Sequence, residues 1–282
     1  MFKILLSKVI MILNFYSWNV NGLRAILKKG HLKEFMENYE PDILAIQETK
    51  ADENVFKKDK TIKEFLNYLK EKGYVFEHNP SKIKKGWSGV LTIVKEELKP
   101  VFIKEIGIKE MDQEGRIIKT FFEIPKLKNI VFYNIYFPNG KQSEERLKYK
   151  LWFYDKFLEH LLEEKKRKLS QIIGCDLNTA HKEIDLARPK ENENVSGFLP
   201  IEREWIDKFL SKGYIDTFRF LYPDKIKYSW WSMRTRARER NVGWRIDYFF
   251  VSEDLKDNLV ESDILTEVQG SDHAPIYLKL RF

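Results

Sequence analysis

The 282-residue chain is 43% apolar, with 20 Phe, 13 Tyr and 7 Trp, which excludes a disordered chain and allows a sizeable core. Lys and Arg outnumber Asp and Glu by 50 to 43, and an isoelectric point near 9.1 suits a polyanionic partner. The lone Cys175 rules out an internal disulfide and a cysteine-held zinc, and no apolar run approaches the roughly 20 residues that cross a bilayer, so a cytoplasmic protein with no membrane partner is expected.

In chain order, the opening MFKILLSKVI MIL has the lysines of a short signal peptide but neither an unbroken apolar core nor a cleavage site. Residues 1–10 read as an extension, with Met11 as the alternative start. Apolar β-type runs then recur, each beside a polar cluster: Ile12–Trp18 before Asn19, Ile43–Ile46 before Glu48, Ile130–Tyr136, and Gln171–Gly174 before Asp176. Arg245–Val251 contains Asp247, and Ile276–Leu280 follows Asp272 and His273. Helical patterns lie between them at Leu32–Tyr39, Asp59–Lys72, Glu144–Lys168 and Ile201–Lys212, and the charge run Glu163–Lys168 reads as a solvated helix end. Strands alternating with helices, with no linker or repeat, predict one α/β domain over 1–282.

Polar groups at strand ends can converge on one rim while the apolar runs hold them rigid. Taken singly, each has an ordinary structural explanation: Asn19 a turn, Glu48 a surface ion pair, Asp176 a cap. Together, Glu48, Asp176, Asp272 and the amides of Asn19 and Asn178 form an oxygen set suited to a hard cation such as Mg2+, with Mn2+ as an alternative. The five His are scattered without an HxxxH pair, and no GxSxG elbow is present, so a zinc hydrolase and a serine hydrolase are both unsupported. Asp247 is available to orient His273 as a polarising imidazole. Tyr228–Arg245 crowds Trp230, Trp231 and Trp244 among Arg234, Arg236, Arg238, Arg240 and Arg245. With Trp87 and Lys141, these residues offer aromatic and basic groups to a nucleic acid.

The segments SWNVNGLRA, PDILAIQETK, GWSGV, NIYFPNG, GCDLNTAHKEIDL, SGFLPIEREW, NVGWRIDYF and GSDHAPI resemble, in order, the signature blocks of the exonuclease III and abasic-endonuclease family. The resemblance implies a four-layered α/β sandwich, two central mixed β-sheets flanked by helices. It also implies a metal-assisted hydrolase that cuts double-stranded DNA 5′ to abasic sites and acts at 3′ ends as exonuclease or phosphodiesterase. A monomer is expected. By the same resemblance Glu48 is the principal metal ligand, with Asn19, Asn21 and Asp272 near the ion and Asp176, Asn178 and His273 around it. Asp176 would activate or orient the attacking water beside Asn178, while Tyr136 and His273, the latter oriented by Asp247, would bind the scissile phosphate. Trp230 and Trp244 would line the pocket for an extruded sugar, which requires Trp244 to lie in the loop before the strand that carries Asp247. Asn21, Arg234, Arg236, Arg238 and Lys141 would contact DNA. Asn21 stands where some members have Asp, which makes the metal shell less anionic. Two rival readings remain at this level: a phosphodiesterase of the same fold for inositol phosphates or lipids, and a non-catalytic DNA-binding module.

Overall fold

The computed structural model describes residues 10–282; of the expected extension over 1–10 all but Ile10 lies outside the described residues, and the alternative start Met11 lies within them. The strands, in chain order, are β1 (Ile12–Asn19), β2 (Ile43–Gln47), β3 (Tyr74–Asn79), β4 (Val90–Lys95), β5 (Pro100–Ile103), β6 (Ile117–Phe122) and β7 (Ile130–Tyr136). They continue as β8 (Ser170–Asp176), β9 (Tyr214–Asp216), β10 (Trp230–Trp231), β11 (Gly243–Trp244), β12 (Asp247–Ser252), β13 (Leu259–Ile264) and β14 (Ile276–Arg281). Two mixed six-stranded sheets result, ordered β13-β14-β1-β2-β4-β3 and β5-β6-β7-β8-β12-β9, with β10 and β11 forming a separate ribbon.

The alternation of side chains along each strand builds the layers. In β1, Leu13 and Phe15 enter the core between the sheets with Ile43, Ala45, Phe132, Ile172 and Phe249. Their neighbours Tyr16 and Trp18 face outward onto Leu32, Phe35, Ile62 and Phe65 of the helices His31–Tyr39 and Lys60–Glu71. On the other outer face, Tyr133, Ile173 and Tyr248 meet Phe153, Phe157 and Leu161 of the long helix Glu144–Lys166, and Trp205 and Phe209 of the helix Pro200–Ser211. Helix, sheet, sheet and helix are thus the four expected layers. Among the described residues, no helix is long and apolar enough to cross a membrane.

Two boundaries differ from expectation for electrostatic reasons. The strand expected over Arg245–Val251 begins at Asp247, because Arg245 turns inward to ion-pair with Asp185 at 2.8 Å and Asp216 at 2.7 Å. The charged run at the end of the long helix is only partly solvated: Glu164 is buried against Lys119 and bonded by Arg167 at 3.2 Å.

A polar seam joins the sheets one layer beneath the strand ends. Gln47 Nε2 donates to Ser17 Oγ and Asn134 Oδ1, both at 2.9 Å, and Asn134 Nδ2 donates to the Leu91 carbonyl at 3.0 Å. Buried bonds of this kind fix the offset between two sheets that apolar contact alone would leave free to slide.

Candidate active site

Register brings the strand ends to one rim. Asn19 lies opposite Gln47 in the parallel pair β1–β2, and Tyr136 and Asp247 both lie opposite Asp176, from β7 and β12. The backbone kinks where these strands stop: Asn21, Glu48, Lys50 and Asn178 all have left-handed φ, between 48° and 56°. Such conformations cost about 1 kcal/mol or more each and persist where surrounding structure enforces them. At Glu48 the enforcement is visible. Thr49 and Lys50 donate their backbone N–H groups to the carbonyls of Gly89 and Ser88, and a Cβ at Gly89 would lie 2.2 Å from Thr49 Oγ1.

Asn19 bridges the sheets, donating from Nδ2 to Glu48 Oε1 at 3.0 Å and to Asp176 Oδ2 at 2.8 Å. Tyr136 donates its hydroxyl to Glu48 Oε1 at 2.6 Å, and Lys50 Nζ sits 2.8 Å from Glu48 Oε2. Burial opposes the charge on Glu48, but the Lys50 ammonium and the bonds from Lys50, Tyr136 and Asn19 prevail and hold its carboxyl below the usual range. Lys50 also donates to Asn21 Oδ1, and Asn21 Nδ2 donates to Asp272 Oδ1 at 3.0 Å. Glu48 and Asn21 already converge on one cationic group, so this oxygen set fits a hard divalent ion.

Across Asn19 lies a carboxylate–imidazole–carboxylate array. Asp247 Oδ2 is 2.9 Å from His273 Nδ1, and His273 Nε2 is 3.9 Å from Asp176 Oδ2. Burial works against charge on the imidazole, but the carboxylates of Asp247, Asp176 and Asp272 raise its pKa to about 10. Asp176 is raised to about 7, chiefly by burial and then by the negative charge of Asp247. The ligand atoms of Asp176, Asp247 and His273 lie within 4.8 Å of one another, so this buried cluster could hold a metal. Asp247, expected only as the group that orients the imidazole, therefore joins the metal-competent set. Asn178 donates its N–H to Asp176 Oδ1 at 2.9 Å, and its side chain donates to the Phe137 carbonyl at 3.0 Å.

A cavity of about 260 Å³ opens above this floor, lined in part by Glu48, Lys141, Asn178, Trp230, Trp244 and His273. Trp244 lies before β12, but in the short strand β11 and not in the loop expected, because it pairs with Trp230 across the β10–β11 ribbon, with ring centroids 6.4 Å apart. Trp230 Nε1 donates to Asp272 Oδ2 at 3.0 Å, tying this wall to the floor. Lys141 reaches over both indoles, its Nζ 5.4 and 4.9 Å from the ring centres.

The basic loop divides. Arg234 and Arg236 are exposed, the latter beside a second cleft next to Met233. Arg238, expected to contact DNA, instead donates to the carbonyls of Thr266 and Val268, at 2.7 and 2.6 Å, and packs on Trp231. Sequence reasoning also missed Ser229, whose hydroxyl donates to Asp247 Oδ2 at 2.6 Å and accepts from the backbone N–H of Asp247 at 3.1 Å. Phe198, edge-on to Trp244, and Gly197, also lining the cavity, were missed too. The SGF tripeptide before the helix Pro200–Ser211 is the signal that could have flagged them.

Residues 16–273 match the Endonuclease/Exonuclease/phosphatase family, and the chain belongs to it. Among particular relatives, it is 41% identical to the exodeoxyribonuclease of Bacillus subtilis strain 168, an alignment covering 93% of this chain and 97% of that one. It is 40% identical to the DNA repair nuclease APEX1 of Danio rerio, over 94% of this chain and 81% of that one. The AP endonuclease LMAP of Leishmania major superposes with a TM-score of 0.81 at 31% identity, over 96% of this chain and 88% of that one.

Proposed function

We propose that this protein is a magnesium-assisted DNA-repair phosphodiesterase that cuts the backbone of double-stranded DNA 5′ to an abasic site and leaves a 3′-hydroxyl. Exonuclease or phosphodiesterase action at 3′ ends accompanies it, and the protein acts as a monomeric single-domain enzyme of the cytoplasm. The observation that carries the reading is the facing of two sets of groups across Asn19, under a cavity walled by two tryptophans. On one side is the Glu48 carboxylate; on the other is the Asp176–His273–Asp247 array. The names of the relatives, an exodeoxyribonuclease and two AP endonucleases or repair nucleases, support the substrate class.

Glu48, Asp272 and Asn21 would hold Mg2+, with Mn2+ as a substitute, and Asp176 and Asn178 border the ion; Asn19 turns its NH2 to Glu48 and Asp176 and its amide oxygen to the Asn21 N–H at 2.9 Å. When bound, such an ion neutralises phosphate charge and stabilises the leaving oxygen. The protein's own groups supply the rest. Asp176, with its pKa near 7, can accept a proton from the attacking water, while Asn178 holds that carboxylate in line. His273, kept protonated by Asp247, donates from Nε2 to a phosphoryl oxygen as charge builds there, and Tyr136 would turn its one hydroxyl proton from Glu48 Oε1 to a second. Trp230 and Trp244 would cover the bare sugar, which is cheapest to extrude where pairing is already lost. Lys141, Arg234 and Arg236 would contact phosphates.

Incubating the protein with an abasic duplex, an intact duplex and an inositol phosphate, each with magnesium or with chelator, tests the proposal. A magnesium-dependent nick ending in a 3′-hydroxyl is expected on the abasic strand, much faster than any cut within the intact duplex. Hydrolysis of the inositol phosphate in place of DNA would establish the rival phosphodiesterase, and binding without cleavage the non-catalytic module.

A further inference from the structure

The long helix Glu144–Lys166 presents an apolar stripe to the sheet, at Phe153, Tyr154, Phe157, Leu158 and Leu161. Lys150 lies on the same stripe and is wholly buried. Its ammonium meets Glu202, also wholly buried, at 2.6 Å. A buried ion pair is a poor device for stability, since apolar residues of similar size would do as well or better. What these two side chains touch suggests a different use.

Lys150 Nζ donates to the Asn178 carbonyl at 2.8 Å and to Thr179 Oγ1 at 2.7 Å. Asn178 is the residue with left-handed φ that borders Asp176, so its carbonyl points inward and needs a donor there. Glu202 faces the other way. Its Oε2 accepts the backbone N–H groups of Gly197 at 2.6 Å and Leu199 at 3.1 Å, and its Oε1 accepts the Ser196 hydroxyl at 3.0 Å. Gly197 is the point where the two sides meet. Its φ is 101°, and a Cβ there would lie 3.2 Å from the Asn178 carbonyl oxygen and 3.3 Å from the Trp244 ring. One charge pair therefore spans from the backbone of Asn178 to the turn that backs Trp244.

We propose that Lys150 and Glu202 are positioning residues that lock the Asn178 turn to the Gly197 wall of the Trp244 pocket, so that filling the pocket and orienting the attacking water are one event. The lesion half of this inference rests on the abasic-site reading; the link between the two turns does not. The pair touches no substrate. Its effect passes through two backbone turns, where it bonds the Asn178 carbonyl and Thr179 hydroxyl on one side and the Gly197 and Leu199 N–H groups on the other.

The test compares wild type, Lys150→Met, Gly197→Ala and the double variant. Single-turnover incision of abasic and intact duplexes in magnesium is followed, with intact-duplex binding and a melting curve for each. Lys150→Met, measured well below its melting temperature, is expected to lower abasic incision about tenfold to a hundredfold, the usual consequence of a misplacement on the order of 1 Å. The abasic-over-intact ratio should narrow in parallel, and binding to the intact duplex should hold. Gly197→Ala should do the same from the opposite side, and the double variant should lose less than the product of the two, because both break one link. Folded Lys150→Met with wild-type rate and ratio would overturn the inference, as would strictly multiplicative losses. Should Lys150→Met fail to fold, Gly197→Ala decides alone: a changed ratio with an unchanged rate contradicts the coupling. A wild-type protein with no preference for abasic DNA would refute the abasic-site reading instead, and the link is then read on rate alone.

Discussion

The floor of the site and its wall are built on different terms. On the floor, Asn19, Glu48, Tyr136, Asp176, Asp247 and His273 stand at strand ends, and each has a hydrogen-bond partner across a short distance. The wall is a two-stranded ribbon with an arginine loop at its tip. Part of that loop is fastened down, through Arg238, and part, through Arg234 and Arg236, is exposed; Arg245, just past the ribbon, is tied to Asp185. The floor therefore has few ways to rearrange, as charge stabilisation without reorganisation requires. Only the exposed tip of the loop, at Arg234 and Arg236, is placed to adjust to a substrate whose shape varies. The comparison teaches that residue type alone does not assign an arginine to recognition: its partners do.

The largest effects belong to the floor. Asp176→Asn and His273→Ala should each cost at least about 3 kcal/mol of transition-state stabilisation in single-turnover nicking, with duplex binding largely kept. Either variant retaining more than about a tenth of the wild-type rate would remove that residue from the chemistry. Next comes Glu48→Gln, expected to lower nicking by orders of magnitude at limiting magnesium and to recover in part at high magnesium. Nicking that resists chelator in the wild type breaks the metal assignment.

The pH profile sharpens the floor further. On the proposed mechanism Asp176 must be ionised and His273 protonated, so the rate should rise through the Asp176 pKa near 7 and fall through the His273 pKa near 10. Asp247 raises both groups, and Asp247→Asn removes that charge. Both limbs should move to lower pH at a fixed magnesium concentration; an alkaline limb that stays in place would mean that His273 does not donate as a cation.

On the wall, the expected effects are smaller. Arg236→Ala should weaken abasic and intact duplexes alike and flatten the salt dependence by nearly one unit of log–log slope if it makes one phosphate contact. Arg238→Ala should leave that slope unchanged and lower the melting temperature, because its guanidinium serves the carbonyls of Thr266, Val268 and Ser271. A salt slope altered by Arg238→Ala would place that arginine back at the interface.

The floor was legible in the sequence because strand ends are local. Alternation locates the strand, and the polar residue just past it marks the rim. The bonds that organise the wall were not, because their partners lie far away in the chain. Arg245 finds Asp185 at a separation of 60 residues, and Arg238 finds carbonyls about 30 residues on. Two burials were legible and missed. Lys150 and Glu164 both fall on the stripe of Phe153, Tyr154, Phe157, Leu158 and Leu161, at spacings of three and four, so helical periodicity marks them as inward-facing charges. Ser229 carried no such mark, since a serine before a tryptophan reads like any turn residue.

The division between cutting and selecting is tested most directly by one ratio. Single-turnover incision of an abasic duplex divided by that of an intact duplex is measured for wild type, Asp176→Asn and Trp244→Ala. If the floor acts, as proposed, on a phosphate that both substrates share, Asp176→Asn should lower both rates and leave the ratio in place. Trp244, edge-on to Phe198 at 6.5 Å and facing Trp230 across the ribbon, shapes the pocket, so Trp244→Ala should bring the ratio down several-fold with the salt dependence unchanged. An unchanged ratio in Trp244→Ala, or a ratio that falls in Asp176→Asn, would contradict it.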